Sequence, residues 1–170
     1  SHYLYKVDNA NTMTPVTTEI TSTLFPAAGY VSCIAVDPLN ADRILVVFSN
    51  YQVYSLFLST DGGVTFAKCA GNLEVNSTGT GNGPSLRWAS IIPVSNGYVY
   101  MVAASTGLYA TSNLSGLTTV WTQMAPTLIG NLVTDMIDFR TSDGRVVIGT
   151  HGGGVYSTSV TDTVLTALQS

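Results

Sequence analysis

Charge is scarce in this chain. Asp, Glu, Lys and Arg together make up 9% of its 170 residues, against roughly 25% in soluble domains at large. Lysine occurs only as Lys6 and Lys68. Binding to phosphate backbones needs clustered Lys and Arg, so nucleic acid is excluded as a partner. The same shortage leaves no polybasic patch for an anionic membrane. Long apolar runs are missing too. Ile44 to Phe48 and Val99 to Ala104 are among the longest, far short of the ~20 residues that cross a bilayer as a helix. Cysteine is limited to Cys33 and Cys69. Their spacing is not that of a CxxC zinc or redox site. They either form one disulfide or sit apart as small buried hydrophobes. Histidine is limited to His2 and His151, which argues against a histidine-based metal site. No cofactor and no metal is expected. The opening Ser1-His2-Tyr3 lacks a basic n-region and an apolar h-region, so a secreted form would carry its signal upstream.

What remains is 45% hydrophobic residues and a net charge of −4. That is enough for a real core and inconsistent with intrinsic disorder. The few lysines and abundant Ser, Thr, Asn and Tyr suit a secreted or cell-surface protein. Asn76-Ser77-Thr78 and Asn113-Leu114-Ser115 match the N-glycosylation pattern, and Asp162-Thr163-Val164 a short O-glycosylation pattern found in some bacteria.

Helical stripes are absent as well. Short runs of Val, Ile, Tyr and Thr alternate with Gly, Asn, Asp and Pro, a period of two. Three segments repeat one plan of strand, turn, strand, turn, strand. The first runs through 31–36, 43–48 and 53–58. The second runs through 87–92, 98–103 and 107–111, and the third through 134–139, 145–150 and 154–158. Their offsets of 55 or 56 and then 47 residues suit a four-stranded propeller blade. Asn96-Gly97 and Asp143-Gly144 read as two-residue hairpin turns. The expected fold is an all-β propeller fragment of about three and a half blades. An outer half-blade covers 2–24, and blades follow over 30–74, 85–128 and 132–168, with 164–168 as the last strand. A closed propeller takes about four to eight blades, so open blade edges are an expected route to self-association.

Ser59-Thr60-Asp61-Gly62-Gly63-Val64-Thr65-Phe66 fits the pattern S-x-D-x-G-x-T-aromatic. Asp61 is placed to accept backbone N–H bonds of the turn. Gly63 and its neighbour Gly62 permit positive φ. Ser59 opens the motif, Thr65 starts the next strand, and Phe66 packs between blades. On this motif the chain resembles the Asp-box (BNR) β-propellers, a group that includes sialidases, xyloglucanases and the sortilin ectodomain. Ser105-Thr106-Gly107-Leu108-Tyr109, Arg140 to Gly144 and Gly149-Thr150-His151-Gly152 resemble the final blades of large secreted propellers of Bacteroidetes-type bacteria. The resemblance implies a motif on the outer rim, structural and away from any ligand face.

Candidate chemistry is thin. Glycoside hydrolysis needs two carboxylates ~5–9.5 Å apart across one cavity. Asp135 and Asp138 share a strand three residues apart and point to opposite faces. Asp135 is placed either to bind a ligand or simply to line a wet channel. No arginine triad of the sialidase kind assembles from Arg43, Arg87, Arg140 and Arg145. Arg87 beside Trp88 pairs a guanidinium with an aromatic platform that suits a sugar ring. The structural alternative, Trp88 as a wedge between blades, is the favoured reading. His151-Gly152-Gly153-Gly154 mimics an esterase oxyanion loop, but no G-x-S-x-G accompanies it, so these glycines read as a hairpin. The expected function is a non-catalytic scaffold or binding module for a glycan or a protein. The alternative is part of a sialidase- or xyloglucanase-like glycoside hydrolase whose catalytic residues lie mostly outside this chain.

Overall fold

The computed structural model describes residues 2–49, 51–74, 81 and 83–160. The expected strand at 164–168, and the patterns at Asn76 and Asp162, lie outside the described residues. The chain is all-β, as its periodicity predicts. Strands β1 (Tyr5–Asp8) and β2 (Val16–Glu19) form a hairpin. The first sheet holds β3 (Val31–Val36), β4 (Ile44–Phe48), β5 (Leu56–Ser59) and β6 (Ala67–Lys68). The second holds β7 (Leu86–Val94), β8 (Gly97–Ala104), β9 (Gly107–Thr111) and β10 (Thr122–Gln123). In the third, β11 (Thr134–Arg140), β12 (Arg145–Thr150) and β13 (Gly154–Ser159) are described. Each sheet is an antiparallel meander in chain order. The sheets stack face to face, with β7 between β3 and β11. This is the arrangement of propeller blades.

Why these strands form is legible locally. Residues 44–48 are Ile, Leu, Val, Val and Phe, and all five are buried. Such a run suits a strand covered on both faces. One face of the first sheet meets Phe25 from the segment after β2. Its ring lies 5.3, 5.1 and 4.8 Å from those of Phe48, Phe57 and Phe66, a separation at which edge-on aromatic contacts are favourable. The other face packs on the second sheet. Trp121, just before β10, is the counterpart of Phe66 just before β6, and its Nε1 donates to the Cys69 carbonyl at 3.1 Å.

Two turns and one strand start differ from expectation. The β7–β8 loop is centred on Ser95-Asn96, and Gly97 opens β8 with φ +134°. The β11–β12 connection is a four-residue loop, because Arg140 pairs with Arg145. Asp143 spends its carboxylate on Arg140 Nε at 2.9 Å and the Arg145 N–H at 3.2 Å, which closes a wider loop than a two-residue turn. Strand β5 begins at Leu56, although the Ser55 carbonyl still accepts from the Phe48 N–H at 2.8 Å and the Ser55 hydroxyl donates to Glu74 Oε1 at 3.1 Å. Cys33 and Cys69 are both free and buried, and burial pushes both thiols up from their ordinary value.

Candidate functional site

The first strand of every sheet carries the same irregularity. In β3, two steps from Val31 to Cys33 face one step from Phe48 to Val47. In β7, Leu86 to Trp88 faces Ala104 to Ala103, and in β11, Thr134 to Met136 faces Thr150 to Gly149. Each is a β-bulge, and the extra residues are Ser32, Arg87 and Asp135. A bulge frees one side chain from the strand alternation and re-aims it. The equivalent positions are therefore Val31, Leu86 and Thr134, one residue earlier in the second repeat than sequence alignment places them.

The bulges put three side chains at one end of the inner strands. Ser32 Oγ donates to the Leu86 carbonyl at 3.4 Å. Arg87 Nη1 donates to Asp135 Oδ1 at 3.0 Å. Asp135 Oδ2 lies 3.4 Å from Nδ1 of His151, an imidazole 80% exposed in the loop between β12 and β13. That loop is the hairpin expected for the glycine run: Thr150 pairs with Gly154, and Gly152 has φ +78°. The result is a half-exposed carboxylate between a guanidinium and an imidazole. One of its oxygens accepts from Arg87, and the other lies within ion-pair distance of the His151 ring. His151 was not among the sequence-derived binding residues. The one available signal was its hairpin, which repeats the turn that follows β8 at Ser105-Thr106.

Trp88 follows the bulge and turns toward the third sheet. It is half-buried against the apolar cluster of both interfaces. It also lines a cleft of about 250 Å³ with Cys33, Ala89, Ile137, Asp138 and Phe139, along the inner strands. Its ring thus fills the wedge while keeping one edge in the cleft. Asp138 pairs with Val147 and accepts from the Phe139 N–H, and the bulge at Asp135 breaks the simple alternation that would set the two carboxylates on opposite faces. Arg43 is remote from the site. Its Nη1 donates to the Tyr100 hydroxyl at 3.0 Å, its guanidinium stacks 4.3 Å from the Tyr98 ring, and its Nε lies 3.7 Å from the buried Asp37 carboxylate.

The Ser59–Phe66 turn lies at the β5–β6 corner. Ser59 Oγ donates to Asp61 Oδ1 at 2.8 Å and accepts from the Gly63 N–H at 2.9 Å. The Thr65 N–H and hydroxyl donate to the two oxygens of Asp61 at 2.9 and 2.6 Å. These donors hold the Asp61 carboxyl down at about 2. Gly63 has φ +88°, and a Cβ there would come within 2.6 Å of Ile20. The turn thus locks β5 to β6 and seats the segment after β2.

Fold and site together define a propeller-type all-β protein with a polar cluster at one end of its inner strands. No family model and no curated protein matches the sequence. Solved structures do match it. The GH74 enzyme of Niastella koreensis superposes with a TM-score of 0.53 at 20% identity, over 76% of this chain and 21% of that one. The GH74 xyloglucanase of Xanthomonas campestris superposes with a TM-score of 0.50 at 19% identity, over 86% of this chain and 24% of that one. The chain spans less than a quarter of the length of either enzyme, and at this identity the likeness is one of fold. No described helix is long and apolar enough to cross a membrane.

Proposed function

We propose that this chain is a non-catalytic module of a secreted or cell-surface propeller, and that it binds carbohydrate at the Arg87–Asp135–His151 cluster. The observation that carries this reading is the pair of matching bulges that aim Arg87 and Asp135 at each other, with His151 alongside. A carboxylate held by a guanidinium with an imidazole alongside suits the paired hydroxyls of a sugar ring, and the exposed edge of Trp88 offers apolar contact nearby. A non-catalytic role fits a cluster in which one carboxylate, Asp135, lies between a guanidinium and an imidazole instead of facing a second carboxylate as in a glycosidase. The Ser59–Phe66 hydrogen bonds support the Asp-box resemblance, and that turn serves the fold.

Glycan-array binding by the wild type and by Asp135→Ala, Arg87→Ala and His151→Ala tests the proposal. Loss of the same glycan signal in all three supports it. An array with no signal that depends on Asp135 ends it. A second reading has its own support, since both named structural neighbours are GH74 enzymes, one of them a xyloglucanase. In that reading the chain is a piece of a glycoside hydrolase and supplies part of a substrate groove. Titration with xyloglucan oligosaccharides separates the two. Binding confined to them favours the hydrolase piece, whereas binding of other glycans favours the independent module.

A further inference from the structure

Each four-stranded sheet places one aromatic residue just before its last strand, and that side chain packs outside its own sheet. Phe66 precedes β6, and its ring lies 4.8 Å from that of Phe25, in the segment after β2. Trp121 precedes β10 and is 3% exposed. Its Nε1 donates at 3.1 Å to the carbonyl of Cys69, just after β6, and it shares one buried cluster with Leu45, Leu56 and Cys69. Trp121 therefore fills the first seam from the second sheet.

The second seam repeats that socket. By strand register, Leu45 and Leu56 correspond to Met101 and Leu108. The Leu56 and Leu108 carbonyls accept from the Cys69 and Met124 N–H groups at 3.0 and 2.8 Å, so Cys69 and Met124 correspond as well. Met101, Leu108 and Met124 form one wall of a cavity of about 190 Å³, and Ile148 and Tyr156 of the third sheet form the other. A cavity of about 150 Å³ takes a benzene-sized group, so this one has room for a large apolar side chain. The position that would supply it lies outside the described residues. Ser59, Thr111 and Thr158 are equivalent, since they pair with Ile44, Tyr100 and Val146. Phe66 lies seven residues after Ser59, and Trp121 ten after Thr111. The same spacings from Thr158 fall at 165–168, where the sequence reads Leu-Thr-Ala-Leu.

We propose that the chain after β13 turns back along the third sheet and seats Leu165 in this cavity. Phe66 and Trp121 reach their seats in the same way, on the chain that directly continues β5 and β9. The occupant is the direct continuation of β13, so neither a second copy nor a strand from elsewhere is needed. Burial of its apolar surface drives the contact. Leucine is smaller than the indole of Trp121, so the second seam stays less densely filled than the first. The seat also braces β13, one arm of the hairpin that carries His151 to Asp135.

Methyl NMR on the whole chain tests this without a substitution. Nuclear Overhauser contacts from the ε-methyls of Met101 and Met124 to the δ-methyls of Leu165 are expected. Their absence overturns the proposal, and so do contacts to another residue of 161–170 in place of Leu165. Indole, the group that Trp121 seats in the first seam, probes for an open cavity. It is expected to leave the Met101 and Met124 methyl shifts of the wild type unchanged. Saturable shifts would mean a cavity vacant for a small apolar ligand and overturn the proposal. Leu165→Asp is expected to lower Tm by roughly 5 °C or more, because a charge opposes entry into an apolar seat. Met13→Asp, at a residue 99% exposed, is the reference and is expected to leave Tm unchanged. Equal Tm values for the two variants overturn the proposal.

Discussion

The contact between the first and second sheets and that between the second and third are built on the same strand register, yet they are filled differently. The first is dense. Cys33 Sγ accepts from the Ala89 N–H at 3.5 Å, Asn72 bonds both backbone groups of Trp121, Ser85 donates to the Ser49 carbonyl, and Arg43 is clamped between Tyr98, Tyr100 and Asp37. The second interface keeps a cavity of about 190 Å³, lined by Met101, Leu108, Met124, Ile129, Ile148 and Tyr156. Its polar contacts include the half-exposed Arg87–Asp135 pair and the Tyr156 hydroxyl, which donates to the Leu128 carbonyl at 3.4 Å. The bulge position thus takes a backbone carbonyl in one interface and a charged partner in the other. One register serves a seam joined by buried polar bonds and a seam joined by an exposed charge pair.

Truncation in the two cores separates the interfaces most strongly. Leu45→Ala is expected to cost about 3–4 kcal/mol, and Ile148→Ala about 2, because Ile148 already borders a void and leaves fewer contacts behind. Chemical denaturation measures both, and equal costs would erase the contrast. Next comes the clamp. Arg43→Met leaves the buried Asp37 carboxylate without its cation and is expected to cost about 2–3 kcal/mol. A loss under about half a kilocalorie, the level of a surface substitution, would mean that the clamp is ornamental.

The Arg87–Asp135 pair should behave in the opposite way. Arg87→Ala is expected to change stability by no more than about 1 kcal/mol, as for exposed pairs, while it removes glycan binding. A large stability loss would make the cluster a structural joint like the first seam.

The smallest effect is an acid window. Donors around Asp61 and the Arg140 guanidinium beside Asp143 hold both carboxyls at about 2, below their ordinary 3.8. A carboxyl held low when folded stabilises above its unfolded value, and that contribution is lost as pH falls from 3.8 toward about 2. Asp61→Asn and Asp143→Asn are each expected to flatten the fall of Tm across that window. Profiles parallel to wild type would contradict this.

Much of this fold was legible in the sequence. Alternation in Val31–Val36 and Arg145–Thr150 gave strand bounds that the structure reproduces, because a period-two pattern reports directly which side of a strand is covered. The Ser59–Phe66 pattern located its turn, since the side-chain hydrogen bonds of Ser59 and Asp61 stay within it. Other features were not legible. The four-residue loop at 141–144 depends on where Asp143 spends its hydrogen bonds, and the same Asp-Gly pair suits a shorter turn. The bulges at Ser32, Arg87 and Asp135 leave no mark on composition. They show only as a one-residue slip between repeats, which alignment by eye absorbs.

The candidate site divides along the same line. Arg87, Trp88 and Asp135 stand out in sequence because charge and tryptophan are rare here. Their grouping does not, since Arg87 and Asp135 are 48 positions apart and strand alternation alone says nothing of which sheet stacks on which. His151 reads as one residue of a glycine turn until β12 and β13 carry that turn to Asp135. The sequence by itself determined the strands, the repeat and the local turns, because each is set by contacts within a few residues or by one covered face. Only the tertiary structure decided that Asp135 lies between Arg87 and His151, because that depends on the stacking of separate sheets.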